Sequence, residues 1–119
     1  MAIRREWFKR QIDVLAQALA AALGFKRKGQ AQAAQTSIET ALRDAFGMDP
    51  RLALGMPLDQ FIELACRGEA PAPELLSHLA DLFGEWAELL SAAGRNGDAA
   101  MARQRLEECL HFQPRPDGA

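Results

Sequence analysis

WAELLSAAGRNGDAAMARQRLEECLHFQP, residues 86–114, is the stretch whose reading decides the fold. Trp86, Leu89, Leu90 and Ala93 recur at helical spacing, as do Ala99, Ala102, Leu106, Cys109 and Leu110 after them. Apolar residues at intervals of three and four line one face of an α-helix. Between the two runs lies a short polar link with two glycines, and Pro114 closes the second. A link this short forces two helices into an antiparallel hairpin. The small Ala102 lets the second helix approach closely, and Trp86 and Leu106 fill the groove between them.

Composition extends the helical reading to the whole chain. Of 119 residues, Ala and Leu supply 39, whereas Val, Ile and Thr together supply seven. Straight or small side chains lose little freedom in a helix, while β-branched ones favour strands. There is no Tyr and no alternating apolar and polar run, so the fold class is all-α, a single domain over residues 1–119.

Five helices are predicted. Helix 1 spans about Arg4–Leu23, with Phe8, Ile12, Leu15, Leu19 and Leu23 inward; Gly24 ends it and Lys26–Lys28 suit its negative C-terminal dipole. Helix 2, about Gln30–Phe46, pairs with it, so residues 4–46 form a first hairpin turning at Gly29. Residues 47–57 are a break punctuated by Gly47, Pro50, Gly55 and Pro57, with Leu52 and Leu54 packing inward. A short central helix occupies 57–67. Residues 73–113 form the second hairpin, whose helices run from about Pro73 to Ala93 and from Gly97 or Asp98 to Phe112. Gly84, in mid-helix, suggests a close approach by a neighbouring helix. Residues 114–119 are read as a flexible tail.

The second hairpin resembles the tetratricopeptide-repeat (TPR) signature: Trp86-x2-Leu89-Leu90-x2-Ala93, then Gly97, Ala102-x3-Leu106 and Pro114, at the spacing of a roughly 34-residue period. A fainter copy lies upstream as Ala18-x2-Ala21-Ala22-x2-Phe25, Gly29 and Ala34-x3-Ile38, with Gly29 two such periods before Gly97. Leu90 stands where that family usually carries Gly, Ala93 where it has Tyr, and Leu106 where it has Phe. Residues 49–82 show no repeat residues. The chain is also similar to small bacterial proteins of unknown function with a divergent TPR-like hairpin at each end. The shared cues are the opening Arg4-Arg5-Glu6-Trp7-Phe8-Lys9-Arg10-Gln11-Ile12 and the segment Gly97-Asp98-Ala99-Ala100-Met101-Ala102-Arg103. The resemblance implies a non-enzymatic protein-interaction scaffold. Some TPR domains hold a terminal carboxylate in a cationic and amide clamp. Here the corresponding positions are Ala87 and Ser91, or Leu19 and Leu23, and that clamp is missing.

Charge is unevenly placed. Residues 1–28 carry seven basic and two acidic side chains, and residues 29–119 carry seven basic and fourteen acidic ones, giving the overall −2. Arg4, Arg5, Lys9 and Arg10 surround Trp7, while Asp81, Glu85 and Glu88 share one helix face. We take these eight residues as a candidate interaction surface, the basic helix of one subunit meeting the acidic stripe of another in a homodimer. Trp7, beside Phe8, points outward as an interface anchor. The alternative is an anionic partner, nucleic acid or a membrane surface, bound by the basic N-terminal helix. Net acidity disfavours it, as does the distance of about 24 Å along helix 1 to Lys26–Lys28.

The sequence supplies no catalytic group, metal site, cofactor motif or small-molecule substrate site. Cys109-x-His111 offers two potential ligands where zinc needs three or four, and Cys66 and Cys109 read as reduced thiols in helical patterns. Gln17 and Asp13 interrupt the apolar stretch after the basic N-terminus, unlike a secretory signal, so the expectation is a soluble cytoplasmic protein.

Overall fold

The computed structural model describes the backbone of residues 2–113 and the side chains of residues 5–113. It is all-helical, with six helices among the described residues: α1 (Ala2–Arg27), α2 (Ala31–Phe46), α3 (Pro50–Gly55), α4 (Leu58–Ala65), α5 (Pro73–Ala92) and α6 (Asn96–Leu110). The Arg4 side chain, Pro114 and the tail read over 114–119 lie outside the described residues.

Two turns of the same design set the hairpins. Gly29 (φ +74°) follows α1, with its N–H on the Lys26 carbonyl and the Gln30 N–H on that of Phe25, 2.8 Å away. Gly94 (φ +78°) follows α5, its N–H on Ser91 and the Arg95 N–H on Leu90, 2.9 Å away. Each is a Schellman motif, which uses a left-handed residue to satisfy the last carbonyls of a helix. The reversal of the second hairpin is therefore at Gly94. Gly97, expected at that place, lies in the first turn of α6. Gly24, expected to end helix 1, is inside α1, which gains a turn through Arg27. Five residues after each turn glycine stands a fully buried alanine, Ala34 and Ala99, whose small side chains let paired helices close up.

The break at 47–57 contains the sixth helix. Asp49 accepts the Arg51 N–H at 2.8 Å and Pro50 takes the first helical position, a capping pair that starts α3. Leu54 is buried as expected, but Leu52 is 55 % exposed because α3 is only six residues long and buries one side. Beyond α4, Arg67 holds φ +52°, a left-handed conformation that a non-glycine residue adopts at a cost of about 1 kcal/mol.

α1 packs along α2, and α5 along α6; α5 also meets both helices of the first hairpin, while α3 and α4 reach α6. A chain of aromatic rings runs through the joint. Phe46 of α2 meets Phe61 of α4 edge-on at 5.3 Å, Phe61 meets Phe83 of α5 at 6.4 Å, and Phe83 stacks on Trp86 at 6.2 Å. Phe61, Phe83 and Trp86 are each at most 1 % exposed. Such pairs add about 0.5–1.5 kcal/mol each beyond the area they bury.

α6 buries a charged residue that the sequence reading leaves outside, although Leu106 packs against the core as expected. Ala99, Ala102 and Cys109 are buried, but the remaining inward position belongs to Arg105, 5 % exposed, and Leu110 is 64 % exposed. Arg105 Nη1 donates to the Met56 carbonyl, and its Nε lies 3.5 Å from Glu108 Oε1. That same carboxylate oxygen accepts the Leu58 N–H at 2.8 Å. Leu58 opens α4, whose own N-cap, Pro57, offers no side-chain acceptor. Glu108 thus caps α4 from across the fold, satisfying a first-turn N–H that would otherwise be orphaned.

Removing one partner of a buried charge pair leaves the other uncompensated, whereas an apolar replacement of similar shape can be nearly neutral. Glu108→Ala is expected to cost about 2–3 kcal/mol in urea unfolding, allowing for the partial exposure of Glu108, and Arg105→Met clearly less. Equal losses would contradict this reading of the network. At Gly84, an added Cβ would meet only Leu106 Cδ2, at an ordinary 3.6 Å. Close packing therefore does not require this glycine, contrary to the sequence expectation, and Gly84→Ala should raise stability by about 0.5–1 kcal/mol. A destabilised variant in the same unfolding experiment would show that the site has no such room.

Candidate functional site

The residues read from sequence as one interaction surface fall into separate groups. Asp81, Glu85 and Glu88 do form one stripe on α5, as their spacing implies. Its basic partner is Lys26, at the far end of α1 from the arginine cluster and in the same chain. Lys26 Nζ lies 2.9 Å from Glu85 Oε1 and 3.0 Å from Glu88 Oε1. Glu85 first, and Glu88 second, raise the Lys26 pKa above its usual value. Lys26 is well exposed, so this pairing orients α1 beside α5 more than it stabilises the fold. Asp81 is exposed.

Arg5, Lys9 and Arg10 are exposed at the other end of α1, and none has an ion-pair partner among the described residues. They are about 24–32 Å along the helix from Lys26. Trp7 is half-buried rather than outward. Its ring meets Phe8 edge-on at 5.1 Å. The Gln11 side chain, 5 % exposed, bridges to it: with its amide turned to satisfy both atoms, it accepts from Trp7 Nε1 at 3.2 Å and donates to the Ala45 carbonyl at 2.7 Å. Trp7 therefore ties α1 to α2. Sequence gives no sign of this, because Gln11 and Ala45 are 34 positions apart.

The outward face of α1 is mainly charged and polar, with Glu6, Lys9, Arg10, Asp13 and Gln17 exposed, and an apolar stripe lies between it and the core. The buried line of α1 is Gln11, Leu15, Ala18 and Ala22. Beside it run Ile12, Ala16, Leu19 and Leu23, all only half-buried, with Ala20 exposed on their flank. The sequence reading puts Ile12, Leu19 and Leu23 in the core; Ile12 does pack against it, half-buried, whereas Ala18 and Ala22 take the places of Leu19 and Leu23 because they admit the neighbouring helices more closely. The stripe covers three turns, about 16 Å.

The remaining reactive side chains are occupied or silent. Burial pushes the Cys66 thiol up to about 11 and, aided by the nearby Glu108 charge, the Cys109 thiol up to about 12. Both stay protonated at neutral pH, and the thiolate is the nucleophilic and metal-binding form. His78 and His111 fold back on their own helices, each Nδ1 within 2.9 Å of the carbonyl four residues earlier. His111 is exposed while Cys109 is buried, so the two do not converge. Among the described residues no group of three or more His, Cys, Asp or Glu side chains is placed to hold a metal ion, and no helix is long and apolar enough to cross a membrane.

No protein-family model matches the chain, and no curated protein or solved structure shows a significant match to it.

Proposed function

We propose that the protein is a non-enzymatic helical interaction module of the TPR-like kind that pairs with a second copy of itself through α1. The observation that carries this is the half-buried stripe Ile12, Ala16, Leu19 and Leu23. In an antiparallel α1 pair with its two-fold axis between residues 17 and 18, Ile12 faces Leu23 and Ala16 faces Leu19. Ile12 then packs against Leu23, and the small Ala16 leaves room for Leu19. This self-complementarity is what a two-fold interface demands. An apolar interface centre bordered by charge, here Lys9, Asp13 and Arg27 on the outer flank, is the usual anatomy of such contacts.

This replaces the basic-to-acidic pairing between subunits, because Lys26 already meets Glu85 and Glu88 within one chain. An anionic partner at the basic end of α1 is the weaker reading. Trp7, the aromatic that would stack or insert there, has its indole N–H engaged by Gln11.

Light scattering at high protein concentration is expected to give twice the 13.0 kDa chain mass, and Leu19→Glu is expected to return the mass to 13.0 kDa with the helical spectrum unchanged. A 13.0 kDa species for the parent chain, or a dimer indifferent to Leu19→Glu, would overturn the proposal.

A further inference from the structure

A second surface owes nothing to α1. Where α2, α3, α5 and the α5–α6 turn meet, a cleft of about 300 Å³ is bounded by Glu39 and Arg43 of α2, Asp49 and Arg51 at the start of α3, Trp86 of α5, and Arg95 of the turn. Its volume is at the small end of small-molecule sites.

The charges around it are unequally satisfied. Asp49 caps α3, and Glu39 Oε2 accepts from Gln35 Nε2 at 3.1 Å. Arg95 is held by Asp98, its Nε and Nη2 on Oδ2 at 2.9 and 2.6 Å. Both cleft carboxylates therefore have donors. Arg43 and Arg51 are exposed, and neither guanidinium has a partner among the described residues. Trp86, 1 % exposed, contributes to the cleft wall, and its indole N–H has no acceptor among the described residues. The donors left without partners at this cleft are the exposed Arg43 and Arg51 guanidiniums and the buried Trp86 indole N–H.

Three guanidiniums from three different elements also narrow the kind of anion. A carboxylate carries one charge and two coplanar acceptor oxygens that one bidentate arginine matches, whereas a phosphate offers three or more acceptor oxygens in different directions and more charge. We infer that this cleft binds phosphate, free or as the phosphate group of a small molecule, held by Arg43 and Arg51 with Arg95 as a fixed third contact. The site lies outside the α1 surface, so it stands or falls independently of self-association.

The two tryptophans provide the test. In ¹⁵N-labelled full-length protein, the Trp86 indole N–H signal is followed as inorganic phosphate is added, against sodium chloride of matched ionic strength and against sodium acetate. Trp7, tied to Gln11 in α1, is the internal control. A saturable shift of Trp86 alone is expected with phosphate. Arg43→Gln and Arg51→Gln should each weaken it about tenfold or more, the scale of a charge-assisted hydrogen bond. Both side chains are exposed, so neither variant should disturb the fold, which the unchanged Trp7 signal reports. No shift beyond that in chloride, an undiminished response in both variants, or an equal or stronger response to acetate would each overturn the phosphate site.

Discussion

A buried guanidinium, Arg105, governs how the parts of this molecule fit together. Moving an arginine to 5 % exposure is costly unless its hydrogen bonds are replaced. The guanidinium donates to the Met56 carbonyl, and the Glu108 carboxylate, 3.5 Å from Nε, supplies the opposing charge. Met56 ends α3 and Leu58 begins α4, so meeting the needs of Arg105 fixes the α3–α4 corner against α6. The seat of α6 follows, with Leu110 left outward. So does the position of α4, which lets Phe61 bridge Phe46 and Phe83. Neither hairpin has a closed core alone, and the short central helices supply the missing wall.

Much of this was legible in the sequence, for identifiable reasons. Glycine and proline mark helix ends through backbone sterics, which act locally, and the boundaries of α2 and α5 came out within a residue or so. Errors arose where two residues compete for one local role. Gly94 and Gly97 both stand in the link, and only the carbonyls of Leu90 and Ser91 decide between them. Asp49-Pro50 reads as a break in the sequence, yet the same pair caps and starts a helix, here α3.

The long-range features were not legible. Counting apolar residues on α6 favours Leu110, and nothing local reveals that Arg105 will find an acceptor 49 positions away. The acidic stripe on α5 could be read from its spacing, but not that Lys26, 62 positions upstream, is its partner. For the same reason the arginine cleft escapes the sequence, since Arg43, Arg51 and Arg95 lie on three elements. The basic N-terminal cluster and the apolar stripe share one helix, and only the placement of Ala18 and Ala22 in the core shows which side of it is left over.

Amide hydrogen exchange at Leu58 tests the central claim most directly. First-turn amides of a helix ordinarily lack partners and exchange readily. If Glu108 holds the Leu58 N–H across the fold, that amide will be protected to the same degree as the Phe61 amide, which bonds to the Pro57 carbonyl inside α4. Exchange at Leu58 as fast as at an unpaired surface amide would contradict the account.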